Sequence, residues 1–208
     1  MYFRYMLTPD EINIFSSMGK TKEYDAGAIL FYEDTVADNF YIILDGLVKG
    51  GRFGLGKENI FHFFLPKMMV GEVSFREECN YPLTTIFVTK GKVLLVNREA
   101  IYNTKQNISD FDTIFIRSII GKVRYLQNSI NTIASADAKV RTAIFLLEHR
   151  YWISNISIKE IASVLNTTRE TVSRSIAYFI REKALSKVGN KIEIIDSKIL
   201  ALYISNTK

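Results

Sequence analysis

Residues 157–184, SIKEIASVLNTTRETVSRSIAYFIREKA, restrict the fold more than any other stretch of the chain. Ser157 and Glu160 have the S-x-x-E spacing of a capping box, in which the hydroxyl accepts from a helix N–H and the carboxylate reaches back. Apolar positions then fall at Ile158, Ile161, Ala162 and Leu165, one face of a short helix. Asn166 tolerates the left-handed backbone that a helix-to-helix turn requires. Thr167 and Glu170 have the spacing of a second capping box, opening a helix whose apolar face is Val172, Ile176, Phe179 and Ile180. Two capped amphipathic helices about three residues apart form a helix-turn-helix.

The water-facing side of the second helix begins with Arg169, Glu170, Ser173 and Arg174, within its first turn and a half. That is the part of a recognition helix that enters the major groove, where Arg matches guanine O6 and N7 and Glu accepts from cytosine N4. The alternative for Glu170 and Arg174 is an ordinary i,i+4 ion pair, and for Arg169 a solvated charge. Just beyond, residues 184–196 alternate about Gly189-Asn190, the pattern of a two-stranded hairpin, or wing. Lys187 and Lys191 on it can reach phosphates, as can Ser157, Lys159, Thr168 and Thr171; such contacts add salt-dependent affinity and no sequence information. Charge agrees. Residues 1–136 carry 15 basic and 15 acidic side chains, whereas residues 137–208 carry 12 and 7, so the net +5 belongs to the end holding the motif. Double-stranded DNA is the expected partner.

Upstream, Thr8-Pro9-Asp10-Glu11 starts a first helix: an N-cap, a proline at the first helical position and acids at the positive end of the dipole. From about residue 22 to 97 the texture changes to short apolar runs. YDAGAILFYED, FYIILDGLVKG, ENIFHFFLP, TTIFVTKG and KVLLVN are separated by turns at Asp25-Ala26-Gly27, Asp45-Gly46, Gly54-Leu55-Gly56 and Lys90-Gly91. Such spacing predicts an antiparallel sandwich or roll. Residues 109–134 then read as one helix of about seven turns, capped by Ser109 with Asp110 and Asp112 in its first turn. One face carries Phe111, Ile114, Phe115, Ile119, Val123, Leu126, Ile130 and Ile133; Ile116, Ile120 and Tyr125 form a second flank. One face is expected on the chain's own strands and the other on a twin helix, giving a homodimer. Asp137 caps a further helix with Val140, Ile144 and Leu147 on one face. The expectation is an α+β chain: a sensor β-roll over 1–108, a dimerisation helix and hinge over 109–136, and a winged helix-turn-helix over 137–208.

A single cysteine, Cys79, excludes an intrachain disulfide, a cysteine-built zinc site and a four-cysteine iron–sulfur cluster. As a redox sensor it is poorly placed, since Glu77 and Glu78 oppose thiolate formation and only Arg76 favours it. His62 and His149 lie 87 residues apart in different predicted domains. With no phosphate-binding glycine loop and no G-x-S-x-G, no enzyme signature is present. Acidic residues appear by position 10, ahead of any apolar stretch long enough for a signal peptide, and no uncharged run approaches a membrane span. A cytoplasmic protein without membrane contact is expected.

In order along the chain stand Gly27-x-Ile29-Leu30-Phe31, Ala37-Asp38-x-x-Tyr41-Ile42-Ile43-Leu44-x-Gly46, Gly56-Lys57-Glu58, Gly71-Glu72-Val73, Leu94-Leu95-Val96, Asp137 and Arg169-Glu170-Thr171-Val172-Ser173-Arg174. With a roll, a long helix and a winged motif, this series resembles the CRP/FNR family of bacterial transcription regulators over essentially the whole chain. The resemblance implies a roll with a cyclic-nucleotide-binding-like jelly-roll fold that senses a small effector, a hinge at Asp137, a homodimer on a palindromic promoter site, and RNA polymerase as a partner if the protein activates. It also implies an effector pocket at Gly71, Glu72, Pro82, Leu83, Thr84, Leu126 and Gln127. Cyclic AMP fits poorly there: Pro82 occupies the place of the arginine that pairs with the cyclic phosphate, and a buried phosphate without its cation is costly. Leu126 and Gln127 replace the Thr-Ser pair that contacts adenine. Glu72 could still take a sugar hydroxyl, or the Gly-Glu turn is structural. The iron–sulfur branch is excluded by cysteine count. A haem-sensing branch would need His62 as axial ligand; the alternative is a strand histidine packed among aromatics. Arg169, Glu170 and Arg174 suit a TGTGA-like half-site, while Glu170-x-x-Ser173-Arg174 also resembles readers of TTGAT-like half-sites. A competing class is a ligand-binding regulatory subunit whose C-terminal domain contacts protein.

Overall fold

Apolar runs that alternate over a few residues and end at Gly or Asp pair as strands, because one side of each can be buried while the ladder satisfies the backbone. The computed structural model describes residues 6–54, 57–103, 108–189 and 191–206, with side chains left aside for 57, 108–110 and 133–135. The chain divides into two compact units, residues 1–57 with 61–125, and residues 58–60 with 126–208. Among the described residues, eight strands form two four-stranded sheets, all in the first unit except residues 58–60 of the fifth strand. The strands are β1 (Lys20–Tyr24), β2 (Ile29–Phe31), β3 (Asn39–Asp45), β4 (Val48–Gly54), β5 (Lys57–Phe64), β6 (Met69–Val70), β7 (Thr84–Phe87) and β8 (Gly91–Asn97). Their sheet orders, β1-β8-β3-β6 and β2-β7-β4-β5, are those of a jelly roll. Strand β8 sits centrally in its sheet, with Leu95 opposite Lys20 of β1 on one side and Tyr41 of β3 on the other.

The β3–β4 turn requires its glycine. Gly46 has φ +90°, and a Cβ there would come within 2.8 Å of the Gly91 Cα, so two chain segments touch backbone to backbone. Strand β1 escaped the sequence reading because KTKEY is polar: its residues are almost all exposed, as befits an edge. Strand β6 has only two residues, too few to show a period.

Helix α1 (Pro9–Ser16) starts as expected, and more strongly: Thr8 and Glu11 complete a reciprocal capping box, and Arg117 also bonds to Glu11. The helix delivers Phe15, fully buried, into an aromatic cluster. Phe15 meets Phe40 edge-on at 5.3 Å and Phe111 at 5.5 Å, while Phe115 lies 5.1 Å from Phe40. Such pairs add about 0.5–1.5 kcal/mol each beyond burial. Two further short helices follow strands β6 and β8: α2 (Glu72–Glu77) and α3 (Arg98–Tyr102).

Helix α4 (Ile108–Ser135) is the long one. It starts at Ile108, so Ser109 lies inside its first turn instead of before it; the side chains of Ser109 and Asp110 are outside the described residues, as is that of Ile133. Phe111, Ile114 and Phe115 are buried as expected. The two-face assignment needs correction. Val123, Leu126 and Ile130, grouped above with the roll-facing residues, are exposed together with Ile116 and Ile120. Ser118 and Lys122 occupy the inward face instead, four residues apart. Partners for their polar groups, described below, outweigh the apolar count that drove the reading.

The second unit holds α5 (Ala138–Glu148), a 3₁₀ turn (Ile153–Asn155) preceded by Trp152, α6 (Ile158–Val164), α7 (Arg169–Arg181), β9 (Leu185–Val188), β10 (Lys191–Ile194) and α8 (Ser197–Asn206). Asp137 caps α5 by accepting from the Val140 N–H at 2.8 Å. The buried face of α5 is Val140, Thr142, Ala143, Phe145 and Leu146, whereas Ile144 and Leu147, expected on it, are only partly buried. Wedged between neighbours on more than one side, α5 buries a stripe broader than the three-residue face. Phe145 also stacks on His149 at 4.1 Å.

His149 is buried, and burial pushes its pKa down to about 4, only partly countered by its Nδ1 contact with the Phe145 carbonyl at 2.9 Å. The folded protein therefore holds His149 neutral while the unfolded chain binds a proton near pH 6.5. Stability from this group is complete above pH 6.5 and is lost as pH falls toward 4. Urea titrations should show a His149 contribution that declines by roughly 1.5 kcal/mol between pH 6.5 and 5, opposed by Glu148, whose pKa burial raises and which therefore favours the fold as pH falls. In His149→Phe that decline should disappear.

Candidate functional site

The helix-turn-helix forms from α6 and α7. Ser157 and Glu160 make the expected capping box: the Ser157 hydroxyl accepts from the Glu160 N–H, and the Glu160 carboxylate takes the Ser157 N–H at 2.8 Å. The second box does not form. Asn166 adopts φ +46°, and the Thr167 N–H donates back to the Ala162 carbonyl at 3.0 Å, so Thr167 closes α6. The N-cap of α7 is Thr168, which accepts from the Thr171 N–H at 3.2 Å. With the cap one residue later, Glu170 is the second helical residue and not the third. Its carboxyl is nonetheless held below the usual range by its own backbone N–H and the Thr168 hydroxyl, with smaller help from the Arg169 and Arg174 charges.

On α7, Val172, Ser175, Ile176 and Phe179 are buried, and Ser175 donates to the Thr171 carbonyl at 3.0 Å. Arg169, Glu170, Ser173 and Arg174 are all exposed on the opposite side, together with Ala177. The four base-reading candidates thus share one solvent face at the start of the helix. Of the phosphate candidates, Thr168, Lys187 and Lys191 are exposed and Thr171 half-buried. Ser157 is exposed, its hydroxyl engaged with Glu160. Lys159 pairs with the Glu58 carboxylate at 3.1 Å, both residues belonging to the second unit. The wing forms as expected: Lys191 faces Val188 across β9 and β10, with Gly189 at φ +60°; Asn190 lies outside the described residues.

The roll candidates gather at the β6–α2 junction. Gly71, at φ +81°, caps α2, and a Cβ on it would strike the Tyr81 ring at 2.8 Å. That ring stacks on Phe31 at 3.8 Å, and its hydroxyl donates to the Asn39 carbonyl. Pro82 is exposed, Leu83 partly buried, and the Thr84 hydroxyl accepts from the Glu33 N–H at 2.9 Å. Leu126 and Gln127 are exposed residues of the second unit. Glu72 is 1% exposed and fully engaged. Lys122 donates to its two carboxylate oxygens at 2.5 and 2.7 Å, and Ser118 donates to Oε1 at 2.8 Å. Burial alone would raise the Glu72 pKa, but the Lys122 charge, then the Lys122 and Ser118 hydrogen bonds, hold it below the usual value. Neither Ser118 nor Lys122 was singled out in the sequence. A visible signal existed: both fall on the helical face of Phe111 and Phe115, where polar side chains need buried partners.

His62 is buried, 4.7 Å from the Phe64 ring and 4.5 Å from that of Tyr125. Among the described residues no group of three His, Cys, Asp or Glu side chains is placed to hold a metal. Nor is any described helix long and apolar enough to cross a membrane. Cys79 is exposed.

Two family profiles match the chain, "Cyclic nucleotide-binding domain" over residues 21–107 and "Crp-like helix-turn-helix domain" over residues 140–203. The chain belongs to the CRP/FNR family. Its relatives include the CRP-like cAMP-activated global transcriptional regulator of Mycobacterium tuberculosis, 24% identical over 205 residues, covering 93% of this chain and 92% of that one. The cyclic AMP receptor protein of Thermus thermophilus is 22% identical over 200 residues, with the same coverage. Among solved structures, FixK2 from Bradyrhizobium japonicum superimposes with a TM-score of 0.74 at 21% identity, over 88% of this chain and 96% of FixK2. This CRP/FNR protein is therefore of a family of transcription regulators, built from an antiparallel N-terminal roll and a C-terminal helix-turn-helix.

Proposed function

We propose that this CRP/FNR protein binds a palindromic site on double-stranded DNA as a homodimer and thereby regulates transcription in the cytoplasm. The supporting observation is the α7 face: Arg169, Glu170, Ser173 and Arg174 project together into solvent at the groove-entering end of a capped helix. Arg169 and Arg174 supply bidentate donors for guanine, and Glu170 an acceptor for cytosine. Thr168, Thr171, Lys187 and Lys191 set register on the phosphates, with Ser157 and Lys159 at the edge of the footprint. Homodimer formation is supported by the apolar stripe on α4 at Ile116, Ile120, Val123 and Ile130, 56, 47, 46 and 64% exposed. Their 4-3-7 spacing is that of a coiled-coil seam, with Gln127 at the one polar position. Two copies then present half-sites about one helical turn apart. RNA polymerase is the further partner if the bound dimer activates. Cyclic AMP is not proposed as effector, because exposed, uncharged Pro82 offers a phosphate no cation.

Selection from a pool of randomised duplexes tests the reading: the enriched sequences should be two-fold symmetric and contain G·C pairs in each half. Failure to enrich any duplex would favour a regulatory subunit whose C-terminal domain contacts protein. On the selected site, Lys191→Ala should weaken all sequences alike and reduce the salt slope by about one. Fluorescence anisotropy across a salt series reads both quantities.

A further inference from the structure

Lys122 has three N–H donors, and the structure spends every one inside the first unit. Two go to Glu72 Oε1 and Oε2, and the third to the Met69 carbonyl at 2.9 Å. Ser118, one turn earlier on α4, adds its hydroxyl to Glu72 Oε1. Glu72 opens α2 directly after strand β6, to which Met69 belongs, so a single ammonium ties the helix to the strand and to the turn that follows it. The matched profile for this region is described by cyclic nucleotide binding, yet the buried carboxylate here is already satisfied by the chain itself.

We propose that Lys122, with Ser118, is a built-in latch that fastens α4 to the roll in place of an effector, leaving Glu72 closed to a ligand hydroxyl. The physical reason lies in what opening the latch would require. A ligand hydroxyl could reach Glu72 only by replacing an ion-paired ammonium donor with an uncharged one, and by stranding the ammonium in a largely buried site. A nucleotide that bound through Glu72 would then act against the order of α4. The chain's own residues fill the inward face of α4: Phe111, Phe115 and Ser118 are buried and Lys122 is partly buried.

Hydrogen–deuterium exchange of the α4 amides between residues 113 and 122, measured without DNA, tests the latch separately from the DNA-binding reading. The wild-type segment should be protected with no ligand present, and millimolar cyclic AMP or cyclic GMP should change neither its exchange nor the Tm. Lys122→Met leaves an unpaired buried carboxylate and should lose protection on the order of a hundredfold, or fail to fold. The double variant Glu72→Gln with Lys122→Met removes both charges and should recover most of that loss. The proposal is overturned if either nucleotide raises protection or Tm, or if Lys122→Met exchanges like wild type. A double variant as defective as the single one overturns it too, since plain packing would then account for the loss.

Discussion

Ile120→Glu should convert the protein to a monomer in sedimentation velocity and lower its affinity for the selected palindrome by about 10²–10⁴-fold. Ile120 is exposed at the centre of the α4 stripe, with Ile116 one turn before it and Val123 one turn after. A twin helix packed along this seam would place two Ile120 side chains near the symmetry axis, and glutamates there would face each other as like charges in an apolar contact. The fold of each protomer should survive, because Ile120 belongs to no buried cluster. Binding to an isolated half-site should be unchanged, which separates lost pairing from lost recognition. A variant that still sediments as a dimer would remove α4 as the seam.

Arg174→Ala should lose about 1–3 kcal/mol on the selected site and relax preference at one base pair of each half. Arg174 stands on the exposed face of α7, where its guanidinium can reach a base edge. Arg174→Lys distinguishes a base contact from a phosphate contact. Lysine keeps the charge and loses the planar two-donor fork, so a guanine reader should be nearly as impaired as in the alanine variant. A repeat of the duplex selection with each variant reads the outcome, and unchanged base preference in both would assign Arg174 to the backbone.

Most of the fold was legible because its signals are local. Thr8-Pro9 and Asp137 mark helix starts by cap chemistry, Asp45-Gly46 and Gly189 mark turns, and the S-x-x-E at Ser157 announces α6. The misreadings arise where a choice depends on distant partners. Thr167 and Thr168 have the same side chain, and only the back-bond from Thr167 to Ala162 decides which of them caps α7. Along α4, apolar residues line two sides, and counting them could not show that Lys122 and Ser118 turn inward to Glu72, some fifty residues away in the chain. Polar edge strand β1 and two-residue β6 owe their places to neighbours and carry no period of their own. The exposed polar face at the start of α7 was visible as a spacing of charges, whereas the engagement of Glu72 by Lys122 was not.

Trp152 is the chain's only tryptophan, and it precedes the 3₁₀ turn between α5 and α6 in the second unit. Light absorbed at the red edge of the protein's ultraviolet band therefore excites an indole that belongs to the winged body alone. Emission from this one ring offers a label-free optical test of whether the winged body docks on a duplex, with no introduced dye to perturb the exposed side chains of α7.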